Sequence, residues 1–195
     1  MTIIIIDNGS QYTHLIKRNC RDLGFEGVIL NNKTSYAEVK NQIENVDCQK
    51  IILSGGPSSV YLDKNGLAGE ILEKIKIKEL NKPILGVCYG HQLIAYVFGG
   101  KVEQGKSAEY GITKITIDQE NDLFKSCTKE FDAWASHFDE VKEIPEDFIP
   151  LAHSEQCKFE AMKHKKEKIY SVQFHPEVWH TKEGEKILKN FLNLE

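Results

Sequence analysis

The stretch PILGVCYGHQ, residues 83–92, combines a short apolar run with a cysteine that lies between two glycines. The apolar run predicts a buried strand, and the apolar spacing that follows Gly90 predicts a helix. Side chains in place of Gly86 and Gly90 would crowd so tight a turn, and glycine tolerates strained backbone. The pattern is the thiol counterpart of the G-x-S-x-G nucleophile elbow. Cys88 would lie over a helix N-terminus, which favours the thiolate; the alternative is an ordinary buried cysteine.

The composition is that of an ordinary globular chain, and it argues against several classes of function. The 195 residues are 41% apolar and 28% charged, which suits one domain, residues 1–195. A net charge of −4 without a basic block argues against a nucleic-acid partner. No apolar run approaches the ~20 residues of a membrane span, so no membrane partner is expected. Five scattered cysteines without a C-x-x-C pattern indicate a reducing cytoplasm, with no disulfide and no metal site.

The first half of the chain alternates predicted strands with predicted helices. Apolar runs predict strands, at residues 2–6, 28–30, 50–53 and 82–87. Helical spacing and capping residues predict helices, at residues 10–23, from Ser35 to about Val46 and at residues 67–80. This alternation predicts an α/β fold with an open, mostly parallel twisted sheet flanked by helices. Ligands bind at the carboxyl ends of such strands, where loops at Asp7, Gly56 and Cys88 would meet.

The pattern changes after residue 100, where short strands follow one another with few helical stretches between them. The predicted strands are at residues 101–103, 110–118, 132–135, 148–153, 159–164 and 169–173. We expect either antiparallel additions to the main sheet or a small second sheet. An amphipathic helix over residues 181–194 is expected to close the chain.

A nucleophilic cysteine needs a base, and the base needs a group that orients it. His175 and Glu177 are two residues apart, so their side chains would share one face of an extended segment. Alone, this pair is more often a set of polar residues at the end of a strand. Coupled to the cysteine, it suggests a Cys–His–Glu triad. His137 is the second candidate base, and Asp139 could orient it only if the chain stays extended.

The glycine-rich stretch SGGPSS, residues 54–59, follows a predicted strand and has three interpretations. Such loops can cradle phosphate, but this one lacks the lysine of a P-loop. A loop that offers a backbone N–H to a developing oxyanion needs the same glycines. Next to a cysteine site the oxyanion interpretation is favoured, with the N–H groups of Gly56 and Tyr89 as donors. The third interpretation is a plain tight turn.

Taken together, these motifs resemble those of the class I glutamine amidotransferases. The class is marked by GVCYGHQ at 86–92 and QFHPE at 173–177. Within the family, nearly the whole chain is similar to the glutaminase portion of GMP synthetases. The segments that carry this similarity are DNGSQY at 7–12, LSGGP at 53–57, GGKVE at 99–103, WASH at 134–137 and HPEVWHT at 175–181. The resemblance implies the flavodoxin-like fold of this class, with additional antiparallel strands in the C-terminal half.

The resemblance also implies a reaction. Cys88 would attack the side-chain amide of L-glutamine, His175 would transfer the proton and Glu177 would orient the imidazole. A γ-glutamyl thioester would form, ammonia would leave, and water would release glutamate.

The resemblance further assigns residues to the glutamine pocket. Gln92 would line it with Tyr89 and Gly56. The backbone around Ser136, His137 and Phe138 would hold the amino acid head group of the substrate.

The resemblance finally implies a partner. Because the sequence stops at Glu195, soon after the last predicted helix, we expect a separate ATP pyrophosphatase subunit that converts XMP to GMP. ATP and magnesium are expected on that partner, with no cofactor on this chain. Two alternatives stay open: the glutaminase of another biosynthetic amidotransferase, or a triad cysteine hydrolase or peptidase on the same fold.

Overall fold

The computed structural model describes residues 1–45, 47–62 and 64–194, and the elements below are those of the described residues. The strands are β1 Thr2–Asp7, β2 Glu26–Asn31, β3 Cys48–Leu53, β4 Ile84–Val87, β5 Lys101–Ile117, β6 Glu130–Glu143, β7 Phe148–His153, β8 Ala161–His164 and β9 Ile169–Val172. The helices are α1 Thr13–Asp22, α2 Tyr36–Ile43, α3 Gly66–Lys76, α4 Tyr89–Val97 and α5 Gly184–Leu192. The strands form one mixed sheet in the order β2-β1-β3-β4-β9-β8-β7-β5-β6.

The first five strands of that order are parallel, and all of them except the partly exposed edge strand β2 are largely buried on both faces. In β1, Ile4 and Ile6 pack into a core cluster with residues of α2, α3 and α4. Ile3 and Ile5 face the other way and pack with residues of α1 and α5. Both layers of helices cover the sheet, which is why these strands are continuous apolar runs rather than alternating ones. The α/β fold with a mostly parallel sheet is therefore confirmed.

The C-terminal half extends the same sheet with antiparallel strands, which settles the choice between an extension and a second sheet. Strand β9 is parallel to β4 and antiparallel to β8, so it joins the two halves of the sheet. The two strands predicted at 101–103 and 110–118 are one long strand, β5, which pairs with β6. The ladder is irregular between Gln104 and Glu109, at the place where the sequence pattern breaks.

Three predicted helices need corrected boundaries, and the predicted end of a fourth lies outside the described residues. Helix α1 begins at Thr13, because the Ser10 hydroxyl accepts a hydrogen bond from the N–H of Tyr12 (3.0 Å) in a turn that precedes the helix. Helix α3 ends at Lys76, not at residue 80, and Lys78 has a φ of 62° that a helix does not allow. Helix α2 ends at Ile43, and its predicted end near Val46 lies outside the described residues. Helix α5 spans only Gly184–Leu192.

The sheet brings the carboxyl ends of β1, β3, β4 and β9 to one edge. The loops that follow β1, β3 and β4 carry Gly9, Gly56 and Cys88, and all three residues line one cleft. His175, which follows β9, lines the same cleft. The prediction that these loops lie together is confirmed, as expected for the ligand-binding edge of a parallel sheet. None of the described helices has the length and apolar character needed to cross a lipid bilayer.

Candidate active site

Cys88 lies on a strained turn between β4 and α4. Its φ of 52° and ψ of −103° are unusual for a residue with a side chain. A Cβ at Gly86 would lie 2.5 Å from the carbonyl oxygen of Gly90, and a Cβ at Gly90 would lie 2.6 Å from that of Leu53. The glycines are therefore needed for close approach, as predicted, but the strained backbone belongs to Cys88 itself and to neither glycine.

His175 and Glu177 form a buried pair beside this turn. His175 Nδ1 lies 2.8 Å from Glu177 Oε1, and the two residues are 3% and 4% exposed. The expected extended geometry is wrong, because β9 ends at Val172 and the N–H of Val178 donates to the carbonyl of His175 (3.3 Å) in a turn. Thr181 fixes this turn by donating its hydroxyl to the same carbonyl (2.6 Å). The predicted contact between His175 and Glu177 thus exists, but a turn rather than an extended segment brings the two side chains together.

The imidazole of His175 is poised between a carboxylate and a sulfur. Burial alone lowers the pKa of His175, but the negative charges of Glu177 and Cys88 outweigh it and raise this pKa well above its usual value. The ring is therefore favoured as an imidazolium, and it faces the Cys88 sulfur. A cysteine thiolate is a nucleophile, and an imidazolium beside it can donate a proton to a leaving group.

Gly55 leaves room for the two reactive side chains to lie close to the loop after β3, a role that its sequence position did not predict. A Cβ at Gly55 would lie 3.0 Å from His175 Cε1 and 3.5 Å from Cys88 Cβ. Tyr12 is a second neighbour that was not predicted, since its ring meets the His175 ring edge-on with centroids 5.0 Å apart. The only sequence signal was that both residues lie in loops at the ends of predicted strands.

The glycine-rich loop after β3 is held by Asn8. The Ser54 hydroxyl accepts from the N–H of Asn8 (2.9 Å), and the Asn8 amide donates to the Ser54 carbonyl (2.8 Å). A Cβ at Gly56 would lie 2.5 Å from the Asn8 carbonyl oxygen, so a side chain cannot be accommodated there. Gly56 lines the cleft, whereas the Tyr89 side chain packs into the core and donates its hydroxyl to Asn65 (3.1 Å). The oxyanion role of the two N–H groups stays a prediction.

The residues predicted to bind substrate lie around the same cleft, which has a volume of about 710 Å³. Gln92 is buried, and its amide nitrogen donates to the carbonyl of Asp139 (2.7 Å) and to Gln173 (3.2 Å). Ser136, His137 and Phe138 of β6 line the cleft too, and the Ser136 carbonyl lies 3.7 Å from Cys88 Sγ. The Tyr89 side chain points away and does not line this cleft with them, which corrects that prediction.

The second candidate base, His137, is already engaged on both ring nitrogens. Its Nε2 lies 2.9 Å from Glu109 Oε2, and its Nδ1 lies 3.1 Å from the carbonyl oxygen of Asp139. Strand β6 does stay extended through Phe138, but His137 pairs with a distant glutamate rather than with the Asp139 side chain. His91 is fully buried on α4, where it pairs with Ser171 Oγ (2.8 Å), and burial lowers its pKa to about 3.

Comparison with known proteins places this chain in one family. The family model of class I glutamine amidotransferases matches residues 4–194, and the chain belongs to that family. A subunit of the glutamine-hydrolyzing GMP synthase of Methanocaldococcus jannaschii is 49% identical over 189 residues, which cover 97% of this chain and 95% of the relative. The corresponding GMP synthase subunit of Pyrococcus abyssi is also 49% identical, over 192 residues that cover 98% of this chain and 97% of the relative.

Solved structures agree with this placement. The crystal structure of a protein described as a GMP synthase subunit from Thermoplasma acidophilum has a TM-score of 0.87 and 34% identity, with 98% of this chain and 92% of that chain covered. A glutamine amidotransferase from Thermotoga maritima has a TM-score of 0.79 at 20% identity, with coverage of 98% and 94%, which shows a shared fold alone. The class predicted from the motifs is therefore confirmed.

Proposed function

We propose that this chain is the glutamine-hydrolysing subunit of a two-subunit GMP synthase. The observation that carries the chemistry is the strained Cys88 against His175, with the Glu177 carboxylate 2.8 Å from the other side of the imidazole. The choice of GMP synthesis rests on relatives named as subunits of glutamine-hydrolyzing GMP synthase, which match this chain over nearly their whole length. Those names imply a second subunit.

The first half of the proposed reaction forms a thioester. The Cys88 thiolate attacks the side-chain carbonyl carbon of L-glutamine, and the carbonyl π electrons move to oxygen. The N–H groups of Gly56 and Tyr89 donate hydrogen bonds to this oxyanion, which stabilises the intermediate. The C–N bond then breaks, and the His175 imidazolium gives its proton to the departing nitrogen, so that ammonia leaves. Glu177 keeps the imidazole in the required orientation, as the third member of a triad does.

The second half releases glutamate. Neutral His175 takes a proton from a water molecule, which attacks the γ-glutamyl thioester. A second oxyanion forms and collapses, the C–S bond breaks, and the Cys88 thiolate and the His175 imidazolium are restored. The net reaction is L-glutamine plus water to glutamate plus ammonia. The backbone of Ser136, His137 and Phe138, with Gln92, would hold the amino acid group of the substrate throughout.

The ammonia would pass to a separate ATP pyrophosphatase subunit, which carries ATP and magnesium and converts XMP to GMP. Exposed apolar side chains at the cleft support a protein partner over this face: Leu62 is 76% exposed, Tyr110 71% and Phe138 39%. The five cysteines are unpaired, which suits a reducing compartment, and we propose the cytoplasm.

The decisive experiment measures both the chemistry and the pathway. Glutamate release from L-glutamine is measured for the pure chain, and then with the synthetase subunit, ATP, magnesium and XMP. We expect a low rate that rises at least about tenfold with the complete mixture, because ammonia released without an acceptor is wasted. Glutamine labelled at the amide nitrogen should transfer its label to GMP.

Two controls separate the possible failures. With Cys88→Ala, the same mixture should make GMP from added ammonium but not from glutamine. A glutaminase rate that neither the synthetase subunit nor its substrates change would contradict the GMP assignment and keep the triad. Hydrolysis of γ-glutamyl peptides in preference to glutamine would instead indicate a hydrolase.

A further inference from the structure

A second cavity lies beside the active-site cleft, and His137 lines both. This cavity has a volume of about 420 Å³, and its lining includes Glu109, Glu140 and Cys157. Cys88 does not line it, and among its lining residues the proposed reaction uses only the backbone of His137 and Phe138. Two of its lining residues, Glu109 and His137, belong to a buried cluster of ionisable side chains.

The cluster consists of Glu109, His137 and Glu160. One ligand atom from each residue, a carboxylate oxygen or a ring nitrogen, lies within 4.8 Å of the others, and all three residues are buried. Glu109 and His137 face each other across β5 and β6, and Glu160 precedes β8. Three residues distant in sequence thus present two carboxylates and one imidazole to the same point.

Hydrogen bonds from neighbouring groups orient His137 and Glu109, as hydrogen bonds around a metal site orient its ligands. The ring Nδ1 of His137 faces the carbonyl oxygen of Asp139 (3.1 Å), so Nδ1 carries the hydrogen and donates. Nε2, which faces Glu109 Oε2 at 2.9 Å, would then be the nitrogen that binds a cation placed between the two side chains. Metal-bound histidines typically donate their other N–H to a carbonyl or carboxylate. Glu109 Oε1 accepts from the hydroxyls of Thr113 (2.5 Å) and Ser154 (3.3 Å), which leaves Oε2 facing Nε2.

Glu160 is the independent observation that points to a ligand. Its residue is 0% exposed, and within the described part of the chain neither carboxyl oxygen makes a hydrogen bond of good geometry. A carboxylate oxygen of Glu109 lies within 4.8 Å of one of them. A buried carboxylate without a partner is costly, and a second carboxylate beside it adds repulsion. A bound cation would remove both costs.

We propose that Glu109, His137 and Glu160 bind one divalent transition-metal ion, with Zn²⁺ as the representative. Two carboxylates balance the charge of the ion, and one imidazole with two carboxylates is a donor set that suits zinc better than magnesium. Ligand bonds of ~2.1 Å place tetrahedral ligand atoms roughly 3.4 Å apart, so small side-chain rotations close the site. This proposal departs from the sequence-based expectation that the chain holds no metal.

The ion would stabilise one wall of the active-site cleft. His137 lies between Ser136 and Phe138, which line the cleft on the same strand. A metal that ties β6 to β5 and to Glu160 would hold that strand in place. The role is structural, because the cluster touches none of the reacting atoms.

The test is a Zn²⁺ titration by calorimetry on chelator-treated full-length chain that carries Cys88→Ala, which removes the competing thiolate of the active site. We expect one equivalent of Zn²⁺ to bind, Mg²⁺ to bind at least about a hundredfold more weakly, and Zn²⁺ to raise the melting temperature. Adding Glu160→Gln should weaken Zn²⁺ binding at least about a hundredfold. The matched control is Glu140→Gln, a buried acid of the same cavity that pairs with Lys142, and it should change affinity less than about threefold.

A Co²⁺ spectrum on the Cys88→Ala protein makes the test independent of whether the Glu160 variant folds. Visible bands of a four- or five-coordinate ion without a thiolate charge-transfer band are expected. A thiolate band would assign the metal to Cys157 or another cysteine and overturn the proposal. Absence of one-equivalent Zn²⁺ binding, or undiminished binding after Glu160→Gln, would overturn it too. The cluster would then hold a proton on Glu160, whose pKa burial and Glu109 raise well above the usual value.

Discussion

Among the described residues, two buried histidine–glutamate pairs have almost the same N–O distance, and both histidines line the cleft. In the first, His175 Nδ1 lies 2.8 Å from Glu177 Oε1. In the second, His137 Nε2 lies 2.9 Å from Glu109 Oε2. The two pairs differ in their third neighbour, which is the Cys88 thiol for the first and the Glu160 carboxyl for the second. The same pair therefore suits nucleophilic catalysis in one place and cation binding in the other.

The pairs also differ in what brings them together. Glu177 is two residues from His175, and one turn is enough to join them. Glu109 is 28 residues from His137, and the two are opposite each other only because of the register between β5 and β6. Disturbing the first pair should affect the chemical step, and disturbing the second should affect substrate binding.

The largest expected effect is the loss of the nucleophile. Cys88→Ala should lower glutaminase activity at least about a thousandfold, because no other group can form the thioester. Glutamate release measures the loss, and circular dichroism should show an unchanged fold. The control is Cys127→Ala, at a half-buried cysteine that packs on the core far along the chain, and it should keep its activity. Glutamate production by the Cys88 variant at the normal rate would exclude the proposed triad.

The next effect concerns the orienting carboxylate. Glu177→Gln should lower kcat roughly a hundredfold to ten-thousandfold, because the imidazole loses both its orientation and a negative neighbour. The pKa of His175 should fall, since the Glu177 charge helps to raise it. The alkaline side of the kcat/KM profile, where His175 loses its proton, should therefore move to lower pH. An unshifted profile would mean that Glu177 acts only by packing.

The same pKa links folding to pH. The pKa of His175 is higher in the folded chain than the ~6.5 of an unfolded histidine, so its protonation stabilises the fold. This contribution is complete below ~6.5 and is lost as pH rises through the folded pKa. In Glu177→Gln the loss should occur at lower pH. Urea unfolding of both proteins at a series of pH values measures the difference.

The smallest effect is expected from the second pair. His137→Gln should raise KM for glutamine about threefold to tenfold with little change in kcat, because it loosens the strand that carries Ser136 and Phe138. Steady-state kinetics separate the two constants. His153→Gln is the matched control, since His153 pairs with Asp118 (2.8 Å) on the exposed surface. A fall in kcat as large as that of Glu177→Gln would show that His137 acts on the reacting atoms.

Sequence reasoning succeeded where the interacting residues are close together along the chain. The strand, turn and helix around Cys88 could all be predicted, because Gly86 and Gly90 lie in the same short segment as the cysteine. The strands of the parallel half were predicted nearly to their ends because burial on both faces produces uninterrupted apolar runs. The long strand β5 was predicted in two pieces, because the irregular region from Gln104 to Glu109 interrupts its pattern.

The motifs of the sequence identified the family by resemblance. The sequence by itself also determined two local features, the strand–turn–helix that carries Cys88 and the pairing of His175 with Glu177. These features depend on residues that are neighbours along the chain, so spacing and residue type are enough to reveal them. Only the tertiary structure decided that Cys88 and His175 both lie against Gly55. It alone also brought Glu109, His137 and Glu160 together in one buried cluster. Those contacts depend on strand order and register, which arise from packing of the whole sheet and leave no local pattern in the sequence.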